Sequence, residues 1–175
     1  TVLIPNLERY AGPAVVIDPK GELHAATAAK REALGHRVIL LNPFNVGGRG
    51  SHGHNPFREL ALSDNLGADA AQLADALIIS PDKGDAHWTD SAKNLITGLV
   101  LHAMTTDPAN ASIPLLRAQL SDPEALGPLF DAMAENPALD GAVQNIGRSM
   151  LGKTELARDG SRSFTRELGS IISTA

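Results

Sequence analysis

Apolar positions follow two rhythms along the chain, and the change between them divides it. Early on they come in short unbroken runs. Ala14-Val15-Val16-Ile17 is apolar and largely β-branched, and it ends at Asp18-Pro19-Lys20-Gly21. Arg37-Val38-Ile39-Leu40-Leu41 is a second such run, stopped by Asn42-Pro43. Continuous apolar runs of this length suit parallel strands covered on both faces. Between them Glu22 to Leu34 reads as a helix with Leu23, Ala26, the Lys30 stem, Ala33 and Leu34 near one face, and Gly35 sits where a C-cap glycine belongs. Strand, helix and strand in roughly thirty residues predict a βαβ unit with parallel pairing and a right-handed crossover.

Asn45 to Pro56 is a loop, with Gly47, Gly48, Gly50 and Gly53 among polar residues. From Leu62 onward the rhythm is helical. Leu66, Ala70, Leu73, Ala74, Leu77 and Ile78 share a face, and Pro81 ends that run. Trp88, Ala92, Leu95, Leu99 and His102 form a longer stripe. Ser112 precedes a short helix through Leu120, and Ser121-Asp122-Pro123-Glu124 reads as a capping box with proline in the first turn. Asn136-Pro137 repeats the start signal, and Phe164, Leu168, Ile171, Ile172 and Ala175 give a last amphipathic helix. No strand is expected among these helices. The fold class is therefore α/β plus all-α: one βαβ unit over residues 1–57 joined to a multi-helix bundle over residues 58–175.

Composition narrows this picture. Aromatics are 3% of the 175 residues, so the core must be built from Ala, Leu, Ile and Val. There is no cysteine, which excludes disulfides and thiolate metal sites. No apolar run approaches the ~20 residues that span a bilayer, and the opening residues do not show a basic n-region followed by an apolar h-region. Thr1 to Leu7 is already apolar, which reads as a chain opening within a longer one. The net charge of −5 is uneven: residues 1–55 carry +2, residues 56–145 carry −9, with four Lys/Arg against thirteen Asp/Glu, and residues 146–175 carry +2. An acidic middle favours basic partners over phosphate backbones, or simply keeps a surface soluble.

Gly147-Arg148-Ser149-Met150-Leu151-Gly152-Lys153-Thr154 matches the phosphate-loop pattern G-x-x-x-x-G-K-[ST] letter for letter. Such a loop needs a buried strand before it and a helix after it. Leu139 to Ile146 is polar, Met150 and Leu151 are bulky where the backbone should wrap an anion, and Asp159-Gly160 interrupts the residues after Thr154. The segment therefore reads as a helix ending at Gly152. Asp18 after its apolar run has the form of a strand-end acid, and with Lys20 it stands where parallel sheets face a ligand crevice, Glu22 opening the helix beside them. His52 and His54 are two apart on the glycine loop, but no H-E-x-x-H pattern exists, so no metal site is assigned. His102 and Trp88 read as core residues. No G-x-S-x-G elbow is present, and no catalytic residue is assigned.

Leu3-Ile4-Pro5-Asn6-Leu7, then Val15-Val16-Ile17-Asp18-Pro19-Lys20-Gly21-Glu22-Leu23, then Leu34-Gly35-His36-Arg37-Val38 resemble type IV secretion coupling proteins of the TraG/TraD type. Asn42-Pro43-Phe44, Asn55-Pro56-Phe57, the His87-Trp88 to His102 helix and Gly169 to Ala175 extend the resemblance over essentially the whole chain. The resemblance implies a partial RecA-like motor domain carrying the βαβ unit, joined to an inserted all-α domain. It implies a phosphate loop upstream of Ile4-Pro5-Asn6-Leu7 and a second acidic strand after the helices. ATP and Mg would then belong to the full-length parent and not to this chain, with Asp18, Lys20 and Glu22 as neighbours of the nucleotide site. It further implies a hexamer anchored in the bacterial inner membrane, with this region cytoplasmic and making no membrane contact. The all-α domain would recognise secreted proteins or relaxosome components, the −9 of residues 56–145 favours their basic segments, and DNA versus protein cargo stays open. On the acidic helical face Asp69, Asp75, Asp131 and Glu135 are the recognition candidates. Two rivals remain: a self-contained P-loop enzyme using Gly147 to Thr154 with Asp18 on Mg²⁺, and a helical DNA-binding module using Arg148, Arg158, Arg162 and Arg166.

Overall fold

Helical periodicity carries most of the chain into structure. The computed structural model describes residues 2–79, 86–156 and 162–175, so Pro81, Arg158, Asp159 and Gly160 lie outside the described residues. Two units are distinguished, residues 1–54 and residues 55–175.

In the first unit, α1 (Leu3–Arg9) packs on α2 (Glu22–Ala33). Helix α2 starts after Gly21, whose φ of 71° suits glycine, and ends at Leu34 with Gly35 in the left-handed region, as its sequence predicts. Its buried residues are Thr27 and Arg31, so the inward face is turned from the expected Ala26–Lys30 side. The reason is polar. The Arg31 guanidinium donates to the carbonyls of Leu7, Tyr10 and Gly12, drawing the chain after α1 onto α2.

Neither expected strand forms among the described residues, so the βαβ unit is not confirmed. Residues 13–18 and 36–41 flank a groove of about 480 Å³, and Val15 is 101% and Ile17 89% exposed. A parallel strand exists only through ladder bonds to a neighbour, and the second run takes its bonds from a loop instead. The Leu40 carbonyl accepts the His52 N–H at 2.7 Å, the Leu40 N–H donates to His52 Nδ1 at 3.0 Å, and the Asn42 N–H donates to Ser51 Oγ at 2.8 Å.

The second unit is helical: α3 (Phe57–Leu60), α4 (Leu66–Leu77), α5 (Ala86–Thr106), α6 (Ile113–Leu120), α7 (Pro123–Glu135), α8 (Ala142–Leu151) and α9 (Arg166–Thr174). Helix α5 buries residues all round its circumference, from Thr89 to Met104, which marks it as the central helix. Helices α4, α6, α7, α8 and α9 all pack on it. Leu95, Leu99, Phe130, Met133, Leu168 and Ile171 are each 1% exposed or less, and Phe57 joins this core.

Side-chain caps mark the starts of α6, α7 and α9. Ser112 Oγ accepts the Leu115 N–H and caps α6. At α7 the cap is Asp122, one residue later than the box predicts: its carboxylate accepts the Glu124 and Ala125 N–H groups, while the Ser121 hydroxyl turns back to the Arg117 carbonyl. Asn136 ends α7 and does not begin a helix; α8 starts only at Ala142, after Leu139 and Asp140 turn the chain at positive φ. Between α8 and α9 the structure adds a hairpin absent from the helical reading of the sequence. Strand β1 (Thr154–Leu156) pairs antiparallel with β2 (Arg162–Phe164), Glu155 opposite Ser163. No helix among the described residues is long and apolar enough to cross a membrane.

Candidate functional site

The phosphate-loop pattern lies within a helix and its exit. Helix α8 runs from Ala142 through Leu151, so the pattern is helical from Gly147 to Leu151. Gly147 is buried against α7: a Cβ there would meet the Ala134 nitrogen at 2.5 Å. Glycine at this position serves helix–helix approach, not anion wrapping. Lys153 Nζ donates to Glu167 Oε1 in the first turn of α9. The Lys153 carbonyl accepts the Thr165 hydroxyl at 2.8 Å, and Thr165 caps α9. The Thr154 hydroxyl donates to the Leu151 carbonyl at 2.7 Å. The lysine that a nucleotide would use closes α8 onto α9 and the hydroxyl bonds back to the end of α8, so these residues do not fit ATP and Mg²⁺.

Asp18 closes the start of α2. Its Oδ2 accepts the His24 N–H at 2.9 Å. That bond, with smaller contributions from the N–H groups of Leu23, Glu22 and Gly21, holds its carboxyl below the usual value despite some desolvation. Glu22 is the first residue of α2, and Lys20 stands one residue before the Gly21 cap. The three are therefore neighbours at one helix start. The carboxylate satisfies a backbone donor of the first turn of α2, as a capping side chain does.

The four acidic candidates fall on two helices. Asp69, in the first turn of α4, accepts the Ser63 hydroxyl at 2.5 Å. Asp75, later on α4, pairs with Lys93 of α5 at 2.9 Å. Asp131 of α7 pairs with Arg162 of β2 at 2.9 Å. Glu135 is exposed at the end of α7, one turn beyond Asp131. The structure brings Asp131 and Glu135 to one face and places Asp69 and Asp75 on another helix.

Sequence reasoning misses the groups that these residues meet. Arg162, one of the arginines of the DNA-binding alternative, holds Asp131 through its guanidinium. His102 is half-buried, and burial lowers its pKa from the ordinary 6.5. Asn136 Nδ2 lies 3.2 Å from His102 Nδ1 and donates to Thr105 Oγ1 at 2.9 Å, tying α7 to α5. Among the described residues no group of three His, Asp or Glu side chains could hold a metal.

A groove of about 570 Å³ opens between α7 and β2, with Glu124, Asp131 and Arg162 at its lip. It adjoins the acidic candidates of α7.

Residues 1–175 match the family described as type IV secretory system conjugative DNA transfer. A conjugal transfer protein TraG of Escherichia coli is 31% identical over 99% of this chain and 27% of its own length. A protein VirD4 of Rhizobium radiobacter is 29% identical over 86% of this chain and 22% of its own length. The chain thus spans about a quarter of the length of the curated relatives it matches. No solved structure matches it.

Proposed function

Starting from the chain's membership of the type IV secretory system conjugative DNA transfer family, we propose that its helical unit docks basic segments of the proteins delivered for transfer. The observation that carries this reading is electrostatic. Residues 56–145 hold a charge of −9, on helices that complete their own apolar core. Clustered acidic charge raises the local concentration of cationic partners and repels phosphate backbones. The ATP-driven step is assigned to residues beyond these 175, since the Gly147 to Thr154 stretch spends its groups on helix packing. In the whole protein the exposed runs 13–18 and 36–41 would enter a parallel RecA-like sheet, which accounts for apolar side chains such as Val15 and Ile17 facing solvent here. Relaxosome components or secreted effectors are the partners this reading favours.

The test is a titration of the 175-residue chain with a labelled arginine-rich peptide and with labelled single-stranded DNA, each at two salt concentrations. The peptide should bind in a salt-sensitive manner and the DNA should not. Salt-sensitive DNA binding without peptide binding would reverse the assignment.

A further inference from the structure

Glu124, Gly127, Pro128 and Asp131 recur at i, i+3, i+4 and i+7, which aligns them on one face of α7. Strand β2 sets Arg162 and Phe164 across from them, and the groove of about 570 Å³ lies between. Its floor is open at Gly127, where a Cβ would meet only Arg162 Cδ, at 3.8 Å. Pro128 lies inside the helix and has no N–H, so the Glu124 carbonyl lacks its usual helical donor. Glu124 and Asp131 bring two carboxylates to the lining of this groove. Phe164 and Pro128 supply flat apolar surface beside them. Carboxylates beside an aromatic ring suit a guanidinium, which is planar, multiply donating and able to lie against a ring. The groove already holds one: Arg162 Nη2 donates to Asp131 Oδ1 at 2.9 Å, and the pair is only partly covered, at 30% and 49% exposure.

We propose that this groove seats an arginine side chain from a basic partner segment, with Arg162 as an internal stand-in that the incoming arginine displaces from Asp131. This rests on the reading of the helical unit as a docking surface for basic protein segments, and gives it an address. A peptide is the occupant because the two carboxylates repel a phosphate backbone, and the surrounding charge of −9 over residues 56–145 draws cations. The stand-in also makes the site selective. A lone lysine offers no planar fork with which to replace Arg162, whereas an arginine does.

The test uses the 175-residue chain and a fluorescein-labelled nine-residue peptide of alternating arginine and leucine, read by anisotropy, with its lysine counterpart for comparison. Glu124→Gln and Asp131→Asn should each weaken arginine-peptide binding by about tenfold, the scale of one lost charge-assisted hydrogen bond. Arg162→Met keeps the stem beside Gly127 and removes the competitor, so binding should tighten several-fold. Gly127→Ala should raise the melting temperature, because alanine favours helix and its Cβ has room, yet weaken binding by narrowing the floor. The lysine peptide should bind more weakly than the arginine peptide. Arginine-peptide binding that none of these four substitutions changes would overturn the groove and leave the broader reading standing. Absence of any peptide binding to the parent chain would overturn both, and so would single-stranded DNA binding that Arg162→Met abolishes.

Discussion

The Lys153 ammonium is ion-paired with the Glu167 carboxylate, the second residue of α9. This lysine completes the phosphate-loop pattern in the sequence, and in the structure it fastens one helix to the exit of another. Titration with Mg·ATP should give no saturable binding with the parent chain or with Lys153→Ala. The substitution should instead cost about 0.5–1 kcal/mol of stability, since the pair is partly exposed. Millimolar or tighter ATP binding that disappears in Lys153→Ala would contradict this assignment.

Gly147 offers a stricter test of the same segment. Alanine normally stabilises a helix interior relative to glycine. At Gly147 the added Cβ would lie 2.5 Å from the Ala134 nitrogen and 2.8 Å from Met133, and backbone cannot yield easily. Gly147→Ala should therefore destabilise the chain by about 1–3 kcal/mol in urea unfolding. A more stable variant would show that α7 and α8 do not approach as described.

Arg31 should govern the chain between the two helices of the first unit. Its guanidinium holds the carbonyls of Leu7, Tyr10 and Gly12 from a residue only 8% exposed. Arg31→Met removes these bonds and keeps the aliphatic stem. Limited proteolysis should then cut within residues 7–13 much faster, reflecting a local loss of about 1.5–3 kcal/mol. An unchanged cleavage rate would count against the staple.

Burial lowers the His102 pKa from 6.5, so the folded state favours the neutral ring. The unfolded chain takes up this proton first as pH falls. Stability from this group is complete above about 6.5 and declines as pH drops through that value toward the folded one. A protonated Nδ1 would also confront the Asn136 amide, 3.2 Å away. The NMR titration of the His102 ring should have its midpoint below 6.5, and the stability gap between the parent and His102→Gln should narrow on acidification. A midpoint at or above 6.5 would refute the burial of the neutral ring.

What the sequence could show was local. The start of α6 after Ser112, the Gly35 terminus and the apolar stripe of α5 depend on residues within a turn or two, and the sequence exposes them. The strands expected at 14–17 and 37–41 do not form because a strand is completed by a distant partner. Apolar, β-branched residues there signal that a sheet could form, but Val15 and Ile17 remain in solvent without one. The hairpin escapes the sequence for the converse reason: Thr154–Leu156 and Arg162–Phe164 are three residues each, too short for alternation to register. Helix α1 has no buried residue of its own and is tied to α2 through an arginine 24 positions beyond Leu7. Among the acidic candidates, composition reveals the charge but not its partners. Lys93 and Arg162 meet Asp75 and Asp131 only across helices and strands far apart in sequence.

The claim that matters most is that the helical unit, not the first unit, receives basic protein segments. Amide NMR shifts of the 175-residue chain, followed during addition of an arginine-rich peptide, test it directly. Perturbations should concentrate in residues 55–175, on α7 and β2 around Glu124 and Asp131, and should fade with added salt. Shifts confined to residues 1–54, or none at concentrations where single-stranded DNA shifts the helical unit, would contradict it.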